Sequence, residues 1–157
     1  MNDESLRPLL RKILNWEDAH VNFDNAINNI PEKMRGIRHK DIPYSLWELI
    51  EHIRLSQYDI LEFCRNPDYK EMPWPDAYWP DSAAPESSDE WDRSISKYKE
   101  DRESLKKLVS DENLELASEI PHGDGQTYIR EILLVADHNA YHVGQIVLLR
   151  KLLGIWE

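Results

Sequence analysis

The segment from Thr127 to Gly154 constrains the fold more than any other. Written as a helix, it places Ile129, Ile132, Leu133, Ala136, Ala140, Val143 and Val147 on one side. Leu134, His138, His142, Gln145 and Leu149 fall on the opposite side. A helix that is apolar on both sides is expected to pack inside a bundle and also against something else. Thr127 supplies an N-cap hydroxyl, and Gly154 is a fitting residue just past the C-terminus. Ala136, Ala140 and Gly144 are small and spaced by four, so another backbone can approach there. A neighbour in the bundle or a second subunit would satisfy that stripe, and a homodimer is expected.

Three further segments carry helical spacing, and none carries the alternation of a strand. Leu9, Ile13, Trp16, His20, Phe23, Ile27 and Ile30 predict one helix from about Glu4 to Asn29, closed by Pro31. Ser45-Leu46-Trp47-Glu48 is a capping box, in which hydroxyl and carboxylate each satisfy a free backbone N–H. It opens a second helix whose buried face is Leu46, Leu49, Ile50, Ile53, Ile60, Leu61 and Cys64, ending at Asn66-Pro67. Ser88 is expected to cap a third, from about Asp89 to Val109, with Trp91, Ile95, Tyr98, Leu105 and Leu108 inward. Between the second and third, Pro67, Pro73, Pro75, Pro80 and Pro85 forbid a regular helix. Tyr69, Trp74, Tyr78 and Trp79 are too apolar for a free linker, so the stretch reads as a long ordered loop held against the bundle. Such loops often form lids or site walls. The expectation is an all-α protein, a four-helix bundle with a long ordered crossover loop between helices two and three, forming a single domain over residues 1–157.

Composition narrows the function. Hydrophobic residues make up 41% and charged residues 31% of the chain, a balance that fits an ordinary globular core. The formal net charge of -11, with no basic cluster against it, disfavours nucleic acid and anionic membrane surfaces. The longest uncharged apolar run is Ile132 to Ala136, far short of a membrane span, and Met1-Asn2-Asp3-Glu4-Ser5 leads into no signal-peptide core. A cytoplasmic location is expected. Cys64 is the lone cysteine, which excludes an internal disulfide and any cysteine-rich zinc site. A metal would have to take histidine and carboxylate ligands.

The last helix carries such ligands. His138-Asn139-Ala140-Tyr141-His142 is an HxxxH pair, and residues four apart on a helix differ by roughly 40° and lie one turn apart. Two imidazoles so placed can reach one ion. They sit mid-helix on a face otherwise built from Leu134 and Leu149, where unpaired imidazoles would be poorly solvated. His52, mid-way along the second helix at the edge of its apolar face, is the natural third ligand. Three neutral imidazoles with an open fourth position form a recurrent catalytic geometry, suited to zinc, nickel, copper or iron. His20 lies on the stripe of the first helix and is expected to face the core. There it would donate to a backbone carbonyl or line the pocket as a proton shuttle, with the structural role preferred. Glu48, Ser56 and Asp59 lie on the His52 side of their helix and are candidates to orient an imidazole. Cys64 is expected to be inert packing, and His39 and His122 carry no signal.

The sequence resembles the DinB-like (DinB/YfiT) four-helix-bundle metalloproteins over essentially its whole length. The resemblance rests on Ser45-Leu46-Trp47-Glu48-Leu49-Ile50-Glu51-His52-Ile53, on Tyr78-Trp79-Pro80 before Glu90-Trp91, and on Ala136-Asp137-His138-Asn139-Ala140-Tyr141-His142-Val143-Gly144-Gln145. The family pattern of one histidine on the second helix and HxxxH on the last falls on His52, His138 and His142. The resemblance implies one divalent transition metal, zinc or nickel, and frequently a dimer. Related members include low-molecular-weight thiol transferases, in which the metal activates the thiol. The expected function is therefore a metal-dependent enzyme of thiol-transferase or hydrolase type, with a small-molecule substrate or thiol as partner. An anionic thiol would need cationic anchors, and Arg54 and Arg130 are the plausible nearby ones. The alternative is a non-catalytic, metal-stabilised ligand-binding or stress-response module. A fourth protein ligand from His20 or Glu48 would favour that alternative.

Overall fold

The computed structural model describes residues 3–156, and Met1, Asn2 and Glu157 lie outside it. Its helices are α1 (Arg7–Ile13), α2 (Phe23–Ala26), α3 (Leu46–Arg65), α4 (Ser88–Ser110) and α5 (Tyr128–Leu152). Short 3-10 turns at Asp3–Ser5, Glu32–Met34 and Asp76–Tyr78 complete the regular structure. Among the described residues there is no strand, only an isolated bridge between Glu119 and Thr127. α3 is the central element, packing along both α4 and α5, while α1 lies on α4 and α2 on α5.

The start of α3 is fixed by the capping box. Ser45 Oγ accepts from the Glu48 N–H at 3.1 Å, and Glu48 Oε2 accepts from the Ser45 N–H at 2.8 Å. Ser45 Oγ also donates to the Ala83 carbonyl at 2.5 Å, so the same side chain anchors the crossover loop. Leu46, Leu49, Ile50 and Ile53 are fully enclosed and meet Trp91 and Tyr98 of α4 and Val143, Ile146 and Leu149 of α5. A second cluster, of Leu10, Leu14, Leu61, Leu105, Val109, Leu116, Ile132 and Val135, fills the other end. α4 begins one residue earlier than expected, because Ser87 rather than Ser88 accepts from the Glu90 N–H. Thr127 caps α5 as expected, and Gly154 follows it at φ 68°, a left-handed conformation suited to glycine.

The first helix departs from expectation. Instead of one helix from Glu4 to Asn29, the chain leaves the helix after Ile13 and re-enters for one turn at Phe23. Polar side chains between 14 and 25 take one another as partners. Asn22 accepts from the Asn25 N–H and restarts the helix, while Glu17 accepts from the side chains of Asn22 and Asn25. The buried Arg102 of α4 donates to both Asn15 and Asp24 at 2.8 Å, bridging the two sides of the break. The buried register runs through Leu10 and Leu14, whereas Leu9, Trp16 and His20 are exposed.

The crossover is the long ordered loop expected, held by Tyr69, Tyr78 and Trp79, although Trp74 is left 72% exposed. α5 is less enclosed than its composition suggested. Ile132, Val135, Ala136, Asn139, His142, Val143, Ile146 and Leu149 are buried, while Leu133, Leu134, Tyr141, Leu148 and Leu152 face outward. A Cβ added at Gly144 would meet nothing within 4 Å, so no neighbour within the chain uses that point of the small-residue stripe. By length and composition α5 reaches the threshold of a membrane span, with Asp137 and the histidines within it.

Ser45 is buried and joins the helix start to the crossover loop, so its hydroxyl serves two elements at once. Ser45→Ala should lower unfolding stability by about 1–2 kcal/mol in a urea titration, the usual cost of a lost N-cap.

Candidate metal centre

His52 projects from α3 and His138 and His142 from one face of α5, and packing of α3 on α5 brings the three rings together. Ligand nitrogens of the three all lie within 4.8 Å of one another. His52 Nε2 and His138 Nε2 are 3.1 Å apart. Tetrahedral nitrogens at zinc, with bonds of about 2.05 Å, stand on the order of 3.3 Å from each other. The spacing therefore suits two ligands of one ion. Among the described residues no other histidine, cysteine or carboxylate joins this group.

Hydrogen bonds orient two of the rings. His52 Nδ1 donates to the Tyr78 carbonyl at 2.8 Å, and His142 Nδ1 donates to Gln145 Oε1 at 2.7 Å. Both therefore present an Nε2 lone pair to the shared centre. Trp79 stacks flat on the His52 ring, with centroids 4.0 Å apart and planes 4° from parallel, and Tyr44 stacks on the far face of Trp79 at 4.4 Å. Asp59 acts one step removed. It accepts from Tyr78 Oη at 2.7 Å and Tyr69 Oη at 3.0 Å, and so fixes the loop whose carbonyl orients His52. Burial, followed by contact with that carboxylate, pushes both phenols up and keeps them protonated as donors.

Burial depresses the pKa of all three imidazoles. For His52 the hydrogen bond to Tyr78 works against it, and for His142 the one to Gln145 does. His138 is pushed down to about 4 by burial first, then by His142 and His52. Neutral imidazole is the form that binds a metal, so the bundle holds the three rings ready at neutral pH.

Several sequence-derived candidates lie elsewhere. His20 is exposed in the break between α1 and α2; it donates from Nδ1 to the Val21 carbonyl at 2.9 Å, so the backbone contact is present but the core position is not. It lines a cavity of about 510 Å³ with Trp16, Tyr98 and Asp137, and none of the three clustered histidines lines that cavity. Glu48 is committed to Arg38 and to its own cap. Arg54 is bound through both Nε and Nη2 to Glu51 at 2.8 and 2.7 Å, and Arg130 pairs with Glu131, so each cation already has a carboxylate. Cys64 is buried with its thiol raised to about 12 by desolvation and then by Glu131, in keeping with inert packing. Sequence patterns point to neither Gln145 nor Tyr78 as an orienting group. Gln145 stands three residues after His142, a spacing that places the two on one helix face. Tyr78 contributes through its backbone, which side-chain patterns do not reveal.

A model of the DinB superfamily matches residues 15–146, and the chain belongs to that superfamily. No curated protein and no solved structure matches it.

The depressed imidazoles set a pH dependence. On unfolding, each ring regains its ordinary value of 6.5 and takes up a proton that the folded ring refuses. The metal-free protein should be fully stabilised by this effect above about pH 6.5 and lose it as the pH falls towards 4. Urea titrations in chelator at pH 7.5, 6 and 5 should show that slope, and His138→Gln should flatten it.

Proposed function

We propose that the protein is a metal-dependent enzyme whose His52, His138 and His142 hold one divalent transition metal, zinc or nickel. The supporting observation is the buried cluster of three imidazoles with no fourth protein ligand among the described residues. A structural ion is ordinarily enclosed by four protein ligands, whereas a catalytic one keeps a position open. His20 and Glu48, the candidates for a closing ligand, are engaged elsewhere. When bound, such an ion lowers the pKa of a nucleophile in the open position, a water or a low-molecular-weight thiol.

The residues around the centre favour the hydrolytic version. An anionic thiol carrier needs cationic anchors, and Arg54 and Arg130 are both neutralised by their own carboxylates. The wall of the site is aromatic: Trp79 lies against His52, and Tyr141 meets the edge of His142 while remaining 66% exposed. A small, flat, uncharged substrate suits those surfaces. The same reading includes a homodimer, supported by Leu133, Tyr141, Leu148 and Leu152 facing outward along α5 beside the open space at Gly144. Sedimentation of Leu148→Glu against the parent chain tests that part.

The test of the metal centre is ion content. Protein purified without a histidine tag and dialysed against zinc or nickel should carry about one ion per chain, as expected for a site of this type. His138→Ala and His52→Ala should each retain less than a tenth of it. Retention equal to the parent chain in either variant would refute the ligand set.

A further inference from the structure

The three rings are not equally supported. His52 and His142 each have an acceptor on Nδ1, whereas His138 Nδ1 is buried with no hydrogen-bond partner. The next residue carries the complementary defect: Asn139 Oδ1 is also buried and without a partner. Asn139 is 7% exposed, and its amide orientation is fixed by a chain of contacts reaching across the bundle. Gln57 Nε2 donates to the Tyr98 carbonyl of α4 at 2.8 Å, so Gln57 Oε1 faces α5. Asn139 Nδ2 donates to that Oε1 at 3.1 Å and lies 3.4 Å from Tyr98 Oη. With its NH2 group so committed, Asn139 is left with an acceptor and no donor. Turning the amide over would set two oxygens against each other at Gln57.

The chemistry of the shared centre says what this acceptor is for. His52 Nδ1 carries its proton, so His52 Nε2 is a lone pair. The 3.1 Å approach of His138 Nε2 has two consistent readings. Either His138 Nε2 holds a proton and donates it to His52, or both nitrogens are lone pairs directed at a cation. In the second case the single proton of the neutral His138 ring sits on Nδ1, and a buried N–H without an acceptor costs about 1–3 kcal/mol.

We propose that Asn139 is the positioning residue for His138: its Oδ1 accepts the Nδ1–H of His138 when Nε2 of that ring ligates the ion. The proposal rests on the metal-centre reading above. Gln57 and the Tyr98 backbone hold Asn139 in the accepting orientation, so α4, which supplies no ligand, helps set the ligand geometry. Binding moves the ring proton from Nε2 to Nδ1, and this ring releases no net proton.

The experiment reads tautomers and affinity together. Long-range proton–nitrogen NMR of the zinc-loaded protein should show His138 protonated at Nδ1, and the chelated protein should show it protonated at Nε2. Asn139→Leu should weaken zinc binding 10- to 100-fold in a competition titration, the usual effect of removing an orienting partner. Thermal melts of the chelated variants identify any loss caused by unfolding, and the NMR tautomer of the parent chain is independent of every variant. Unchanged zinc affinity in folded Asn139→Leu, or an Nε2–H tautomer in the zinc-loaded parent, would overturn the role of Asn139. The first result would leave the ligand set intact, whereas the second would move ligation to Nδ1 of His138 or away from that ring; the ligand set itself fails if His52→Ala or His138→Ala retains zinc.

Discussion

The site depends on keeping three clustered imidazoles shielded and uncharged. An unpaired polar group in an apolar bundle is expensive, and three converging rings would repel one another if protonated. The bundle answers by burial, which suppresses protonation, and, at His52 and His142, by acceptors that fix where the neutral ring keeps its single hydrogen. Those two devices have one consequence, lone pairs of His52 and His142 directed at the point that His138 also reaches. α3 against α5 is the only pairing that produces it, since α3 supplies one ring and α5 two.

Much of the remaining chain serves that pairing. The capping box at Ser45 fixes where α3 starts, and through Ala83 it also fixes the crossover loop. Gly36 lies so close to Ala84 that a Cβ there would collide, which ties the connector before α3 to the same loop. Asp59, two turns beyond His52, holds Tyr78 and Tyr69, and the loop they carry brings a carbonyl to His52 and an indole to its face. The loop is thus a component of the site and more than a connection. Its ordering cost is met by aromatic burial and two phenolic hydrogen bonds to one carboxylate.

What the sequence revealed follows from the range of the forces involved. The ends of α3 and α5 are set by local chemistry, Ser45 with Glu48 and Thr127 with Gly154, and both were legible. So was the histidine set, because HxxxH spacing and an apolar helix face are properties of single elements. The break between α1 and α2 was not legible. It arises because Arg102, far along the chain, bonds Asn15 and Asp24, while the stripe of Leu9, Ile13, Trp16 and His20 looked equally helical. The expected core position of His20 failed with it. Asp59 was placed near His52, but its action through the Tyr78 backbone depends on a tertiary loop contact that no local pattern encodes. The outward-facing side of α5 is a third case. Composition showed too much apolar surface for one bundle, and only the packing showed which residues are left uncovered.

The charge arrangement bears on what such a site can do. In a chain of net charge -11 a divalent ion has many carboxylates to choose from, and each carboxylate ligand would reduce its power to polarise a bound group. The acidic residues of α3 nearest His52 along the helix are all occupied: Glu48 by Arg38 and the Ser45 N–H, Glu51 by Arg54 and Ser94, and Asp59 by two tyrosines. Three neutral nitrogens therefore remain as candidate ligands, and they would leave a bound ion its full double charge. Low local dielectric amplifies the field of that charge on anything in the fourth position. Withholding carboxylates is thus part of the design of the site, as much as supplying histidines is. It aligns the proposed chemistry with polarisation and deprotonation rather than with simple storage of a metal.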